Sequence, residues 1–209
     1  MNPALRSLSL LLAFALLLLA AGCTGTRSAP ATAENPLARF ALAKEDIPFT
    51  VTTETAGTMQ TLPADDPVSA FGPVRSYEVV YSEGTGNSPT QQRVRQVIYE
   101  LPSVIKAEYA FFAVRHEIVL ASDPDRTDAR VVMGLPHRIG NQTSTYYIRY
   151  LGGSTEYPDN TVVFAKGNYL EIITLKSPRT DLDAVEALAN PAAAWIPDGR
   201  TAGTRAPKP

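Results

Sequence analysis

An α+β fold is what this 209-residue sequence predicts: an antiparallel sheet with helices packed on it, and a strand–strand–helix theme in both halves. Three observations point there. Short runs of β-branched and aromatic residues alternate with period two and are separated by breaks carrying Gly, Asn and Pro, as in hairpins. One long segment, 103–121, instead spaces its apolar residues by three and four, as an amphipathic helix does. A second, shorter helical pattern follows the last two strands. Elements that are apolar on one side bury it by stacking in layers. A closed barrel is the alternative, and the long helix argues against it.

In chain order, Phe49–Thr53 after Pro48 reads as a short β-like run. Val74–Ser82 places Tyr77, Val79 and Tyr81 on one face. Arg93–Leu101 does the same with Val97, Tyr99 and Leu101, and the Gly-bearing break 83–92 joins the two as an antiparallel hairpin. Pro102-Ser103 opens the helix, with Ser103 as its N-cap. Val104, Ala107, Phe111, Val114, Ile118 and Ala121 form its apolar stripe, and Asp123-Pro124 ends it. Thr143–Leu151 is the next strand, rich in Tyr and Thr. Thr161–Lys166 and Tyr169–Lys176 flank Gly167-Asn168, two residues that tolerate the positive φ of a tight hairpin turn. Thr180 caps a final helix with Asp181 and Asp183 at its positive end and Leu182, Val185 and Ala189 on its buried side. Both helices are expected on one face of the sheet.

The N-terminus has a separate role. Arg6 precedes an uncharged stretch, Ser7–Thr26, whose strictly apolar part, Leu10–Ala21, is 12 residues long. A spanning helix wants ~20. A positive start, an apolar stretch and small residues before a cut site make a secretory signal. Ala20-Ala21-Gly22 leads into Cys23, the one cysteine of the chain. This ending resembles the bacterial lipobox, with Ala20 where that family more often has Leu. The resemblance implies a lipoprotein: Cys23 carries a diacylglycerol on its thiol, the peptide is cut before it, and the new amino group receives a further acyl chain, palmitate being typical. The expected organisation is a signal peptide at 1–22, a lipidated flexible tether at 23–35, a single α+β domain at 36–196 and a disordered tail at 197–209. The expected location is outside the cytoplasm, anchored to a membrane of the cell envelope by lipid.

A further resemblance rests on Val162-Val163-Phe164-Ala165-Lys166-Gly167-Asn168-Tyr169 and the Asp- and Leu-rich helix after it. This segment resembles the close of small bacterial envelope lipoproteins. Some of those have folds like the photosystem accessory protein PsbP or the nuclear transport factor Mog1. It implies an antiparallel sheet flanked by helices.

Charge narrows the partners. The chain has 19 Lys and Arg, of which Arg6 alone lies in the leader, against 21 Asp and Glu. The mature net charge is therefore about −3, which is no footprint for nucleic acid. Membrane attachment falls to the lipid on Cys23. No serine-nucleophile elbow, zinc spacing or phosphate-cradling glycine loop is present. Asp123–Asp128 begins like a calcium loop but lacks its sixth-position Gly, and the twelfth position is Gly134. No catalytic residue, metal or cofactor is expected.

His116 reads as a helix boundary residue, and His137 lies in the turn-rich stretch 134–141 beside Arg138. In the strand 143–151, Tyr146, Ile148 and Tyr150 share one face and Tyr147 and Arg149 the other. The first set is assigned to the core. Tyr147 and Arg149, with His137 and Arg138, form a candidate ligand-binding surface for an acidic or carbohydrate-containing ligand, since Tyr and Arg are favoured at binding hot spots. The reading is a membrane-anchored, non-enzymatic binding or accessory domain for a protein or envelope ligand. An envelope hydrolase with dispersed catalytic residues and a structural or assembly factor are the alternatives.

Overall fold

Strands covered on both faces lose their polar–apolar alternation, and the middle of this chain's sheet has that character. Asn160–Ala165 is buried without a break, as is Gln96–Tyr99. The computed structural model describes residues 35–59, 61–84, 88, 90–120, 129–134, 139–150, 157–179 and 182–197, with the backbone alone for 129, 130 and 150. Seven strands, β1 (Thr53–Thr58), β2 (Arg75–Ser82), β3 (Arg93–Glu100), β4 (Ala129–Met133), β5 (Gln142–Tyr150), β6 (Asp159–Lys166) and β7 (Tyr169–Lys176), form one sheet in the order β1-β2-β3-β7-β6-β5-β4. Every neighbouring pair is antiparallel. The sheet is open, with β1 and β4 as edges, so it is not the barrel alternative.

Two helices pack on the sheet: α1 (Val104–Leu120) and α2 (Leu182–Trp195). They lie on opposite faces, which corrects the expectation of one. On the first face, Ala107, Ala110, Phe111 and Val114 of α1 meet Val97, Tyr99, Tyr146, Val163 and Leu170. On the second, Val185, Leu188, Ala189 and Ala192 of α2 meet Val94, Ile98, Val162, Phe164 and Ile173. Leu37, Phe40, Leu42 and Ile47, from the segment before β1, complete that second layer.

Three strands precede α1 and four lie between α1 and α2. Strand–strand–helix units repeated about the central antiparallel pair, β3 and β7, would be related by a two-fold axis along the sheet normal. That axis would leave both helices on one face. Their placement on two faces means that the repeat is not established.

Local corrections have local causes. The first strand begins where the expected run ended: β1 is Thr53–Thr58, while Phe49 and Val51 pack against the second-face core. β4 was not anticipated. In α1, Ser103 Oγ accepts the Lys106 N–H at 3.2 Å as a cap. Val104 and Ile118 are half-buried, and Ala121 lies outside the described residues, as does Thr180. At the β6–β7 turn only Gly167 takes a positive φ, 58°, as in turns whose first central residue alone is left-handed. Asn168 instead clamps the strand opposite: its backbone oxygen accepts the Leu101 N–H at 2.8 Å and its Nδ2 donates to the Leu101 oxygen at 3.1 Å.

Candidate functional site

A groove of about 480 Å³ opens on the second face between the two ends of the domain, lined by Arg39, Phe40, Trp195 and Pro197. Its near wall is the 3₁₀ turn Pro36–Phe40. Asn35 caps that turn by accepting the Leu37 N–H at 3.0 Å, and its Nδ2 ties the cap to Ser76 O and Thr58 Oγ1, both at 3.0 Å. Pro36 stands at the first position, where its missing N–H costs nothing. Phe40 is buried and meets the Tyr169 ring edge-on at 5.2 Å, and the Arg39 guanidinium sits 4.6 Å from the Phe40 ring centre. Burial pushes the Tyr169 phenol up.

The far wall is the last turn of α2. Ile196 is buried, which leaves its neighbour Trp195 outside at 70% exposure. Lys166 Nζ donates to the Ala193 oxygen at 2.9 Å and so caps the helix C-terminus, where a cation is favoured. A tryptophan so exposed is unusual, and it lines one concavity with the exposed Arg39. Trp and Arg are the residues enriched at binding hot spots.

Beneath the groove the N-terminal segment is fastened by polar groups. Leu42 N donates to Gln96 Oε1 at 2.7 Å, and Gln96 Nε2 donates to Phe40 O at 3.1 Å and also to Glu171 Oε1. Tyr81 donates its hydroxyl to Leu42 O at 2.5 Å. Its own burial, then the charge of Glu54, push its pKa up to about 12. The phenol therefore stays a donor across the physiological range.

The first face carries a second concavity of about 250 Å³, lined by Arg93, Arg95, Asp159, Thr174 and Lys176. Arg95 pairs with Glu78 at 2.5 Å, and Asp159 stands directly opposite Lys176 in the β6–β7 register. Acidic side chains thus accompany two of its three cations.

Of the residues singled out from the sequence, Tyr146 is fully buried against the first-face core and Ile148 is half-buried. Tyr147, half-buried, and exposed Arg149 share the second face, opposite Val132 and Arg130 of β4. Phe164 pairs with Thr143, four positions from Tyr147 along β5. His137, Arg138, Cys23 and the stretch 123–128 lie outside the described residues. His116 is exposed on α1. Among the described residues, no group of three or more His, Cys, Asp or Glu could hold a metal ion, and no helix is long and apolar enough to cross a membrane.

Arg39, Phe40 and Trp195 were not singled out from the sequence. Asn35-Pro36 carried a capping signal, and Trp195-Ile196 at a helix end meant that one bulky residue of the two would face outward.

No family model and no curated protein matches this sequence. Among solved structures, the chain is similar to the extracellular domain of PknH from Mycobacterium tuberculosis. The two are 13% identical, with 70% of this chain and 79% of that one covered, and the TM-score is 0.48. That likeness is too distant to bear on the site.

Proposed function

We propose that this chain is a lipoprotein held outside the cytoplasm by acyl chains on Cys23, and that its domain is a non-enzymatic binding or accessory module. The ligand site is the groove between Arg39–Phe40 and Trp195–Pro197. The single observation that carries this is the 70% exposure of Trp195 in one concavity with Arg39, over the buried Phe40 ring. An apolar side chain would cover the indole and a neighbouring carboxylate would meet Arg39. The ligand is therefore an acidic peptide segment with an apolar residue next to its acid.

Trp195 is the one tryptophan in the chain, so its fluorescence reports on the groove directly. Short peptides carrying Leu or Phe flanked by Glu should shift the emission to the blue and saturate. Arg39→Glu should abolish the shift while leaving the melting temperature unchanged. No shift with any such peptide, or an equal shift in Arg39→Glu, would overturn the assignment.

The surface read from the sequence stands as a second contact. Tyr147 and Arg149 project together from the second face and Arg149 is exposed, which favours it. His137 and Arg138 join it only in this proposal.

A further inference from the structure

We propose that the outward face of α1 is a self-association surface, on which a second copy of this chain packs its own α1 antiparallel. The helix is apolar on two sides. Ala107, Ala110, Phe111 and Val114 face the sheet. Away from it, Ile105, Tyr109, Phe112, Val119 and Leu120 are between 39% and 61% exposed, and exposed His116 falls between them. Positions 105, 109, 112, 116 and 119 are spaced four, three, four and three, so they form one seam along the whole 17-residue helix, about 25 Å. A solvated helix face is ordinarily polar, and a face with four large exposed apolar residues in one row marks an interaction site.

The charges beside the seam say what covers it. One edge carries Glu108 and then Arg115, the latter beside Tyr146; the other carries Lys106 and then Glu117. Consider a two-fold axis beside Phe112, perpendicular to the helix. It brings each edge against the same edge of the copy, running the other way. Glu108, four residues before Phe112, then stands level, within a residue, with Arg115, three after it. Lys106, six before, meets Glu117, five after. Each pair occurs twice. In the seam, Ile105 faces Val119, Tyr109 faces His116, and Phe112 faces its own copy.

A parallel pair would also set opposite charges across the seam. It would, however, place His116 against His116 and align two helix dipoles, whereas the antiparallel pair opposes them. An anionic membrane is disfavoured as the cover, because the two bases are matched by two acids and no basic strip lines the stripe. The groove with Trp195 lies on the opposite face of the sheet and stays open in such a dimer.

The test uses the full chain in detergent, with its mass followed against concentration by sedimentation. Wild type should pass from monomer to dimer. Glu108→Arg and Arg115→Glu should each weaken the dimer roughly tenfold, since two rim attractions become repulsions. The Glu108→Arg/Arg115→Glu double variant should restore it. In an antiparallel dimer, Ile105→Cys/Val119→Cys together should form a disulfide-linked dimer while Ile105→Cys alone cross-links no more than wild type. Equal melting temperatures confirm that the variants fold. The proposal falls if the chain stays monomeric throughout or if the double swap is no better than the single ones. It also falls if Ile105→Cys alone cross-links, or if Phe112→Glu releases the chain from lipid vesicles with no change in its mass.

Discussion

Gln96 donates a side-chain hydrogen bond to Glu171 across the β3–β7 ladder, in a place where both residues are fully buried. The Glu171 oxygen on the other side, Oε2, has no hydrogen-bond partner among the described residues. Ile98 and Phe164 are its direct cross-strand neighbours, and among the described residues no cation acts on its charge. Burial pushes the Glu171 carboxyl up to about 8, with the Gln96 hydrogen bond working in the opposite sense. The interior thus accommodates the neutral acid. Because Gln96 also holds Phe40 and Leu42, the protonation of Glu171 is tied to the floor of the Trp195 groove.

The sign of the pH effect follows. The folded-state pKa, about 8, lies above the ordinary value of 4.5, so the folded chain binds this proton more tightly than the unfolded one. The stabilisation is complete below 4.5 and is lost as the pH rises through about 8. Each unit is worth about 1.4 kcal/mol. Wild-type stability should therefore fall by several kcal/mol across that window relative to Glu171→Gln, which cannot ionise. Denaturant midpoints for the two proteins, measured every half unit, check this. Parallel curves would mean that Glu171 is not buried as described.

Adjacent phenylalanines on α1 give the cleanest test of which helix face is inside. Phe111 is 1% exposed and Phe112 is 47% exposed. Phe111→Ala removes a ring from close-packed surroundings and should cost about 3–5 kcal/mol. Phe112→Ala should change the stability of the monomer by less than about 1 kcal/mol. Equal losses, measured at concentrations where the chain is monomeric, would contradict the orientation of α1.

The fold was legible where one periodicity dominated. Tyr77, Val79 and Tyr81 alternate in β2 and share the second face as read. The β6–β7 hairpin and Ser103 cap were also readable, because both depend on a few adjacent residues. The run Val162–Ala165 carries more than strand character: four apolar residues in succession mean that both faces are covered. The same unbroken run in Val97–Tyr99 carried the same information. The outward stripe of α1 is hidden because a helix apolar on two sides still shows one complete stripe at helical spacing, the buried one. The groove is hidden for a different reason. Arg39 and Trp195 come from opposite ends of the domain, and no local pattern brings them together.

Gly140 shows where a glycine is required. Its φ is 70°, and a Cβ there would stand 2.6 Å from the backbone oxygen of Ala165, which accepts the Asn141 N–H at 2.8 Å. Neither a strand backbone nor that hydrogen bond moves cheaply. Gly140→Ala should cost about 1–3 kcal/mol from strain alone. Gly57, in the edge strand β1, has nothing within 4 Å of the same added atom. Gly57→Ala should lie within about 0.5 kcal/mol of wild type. Thermal melts of the two variants side by side check the contrast.

The anchor can be separated from the fold because Cys23 precedes Asn35, where the described domain begins, by 12 residues. Cys23→Ser removes the thiol that would carry the diacylglycerol. It should release the chain from the membrane fraction, since two acyl chains give stable attachment and one alone is marginal. The melting temperature should not change, because no residue of the cores surrounding α1 and α2 is touched. Intact mass of the wild-type protein extracted from membranes should show the loss of residues 1–22 and the added acyl chains. If Cys23→Ser leaves both processing and membrane attachment unchanged, or the wild-type mass is that of the unmodified chain, the lipid anchor is wrong. Attachment would then fall to a retained apolar leader, Leu10–Ala21, acting as the anchor in place of the lipid.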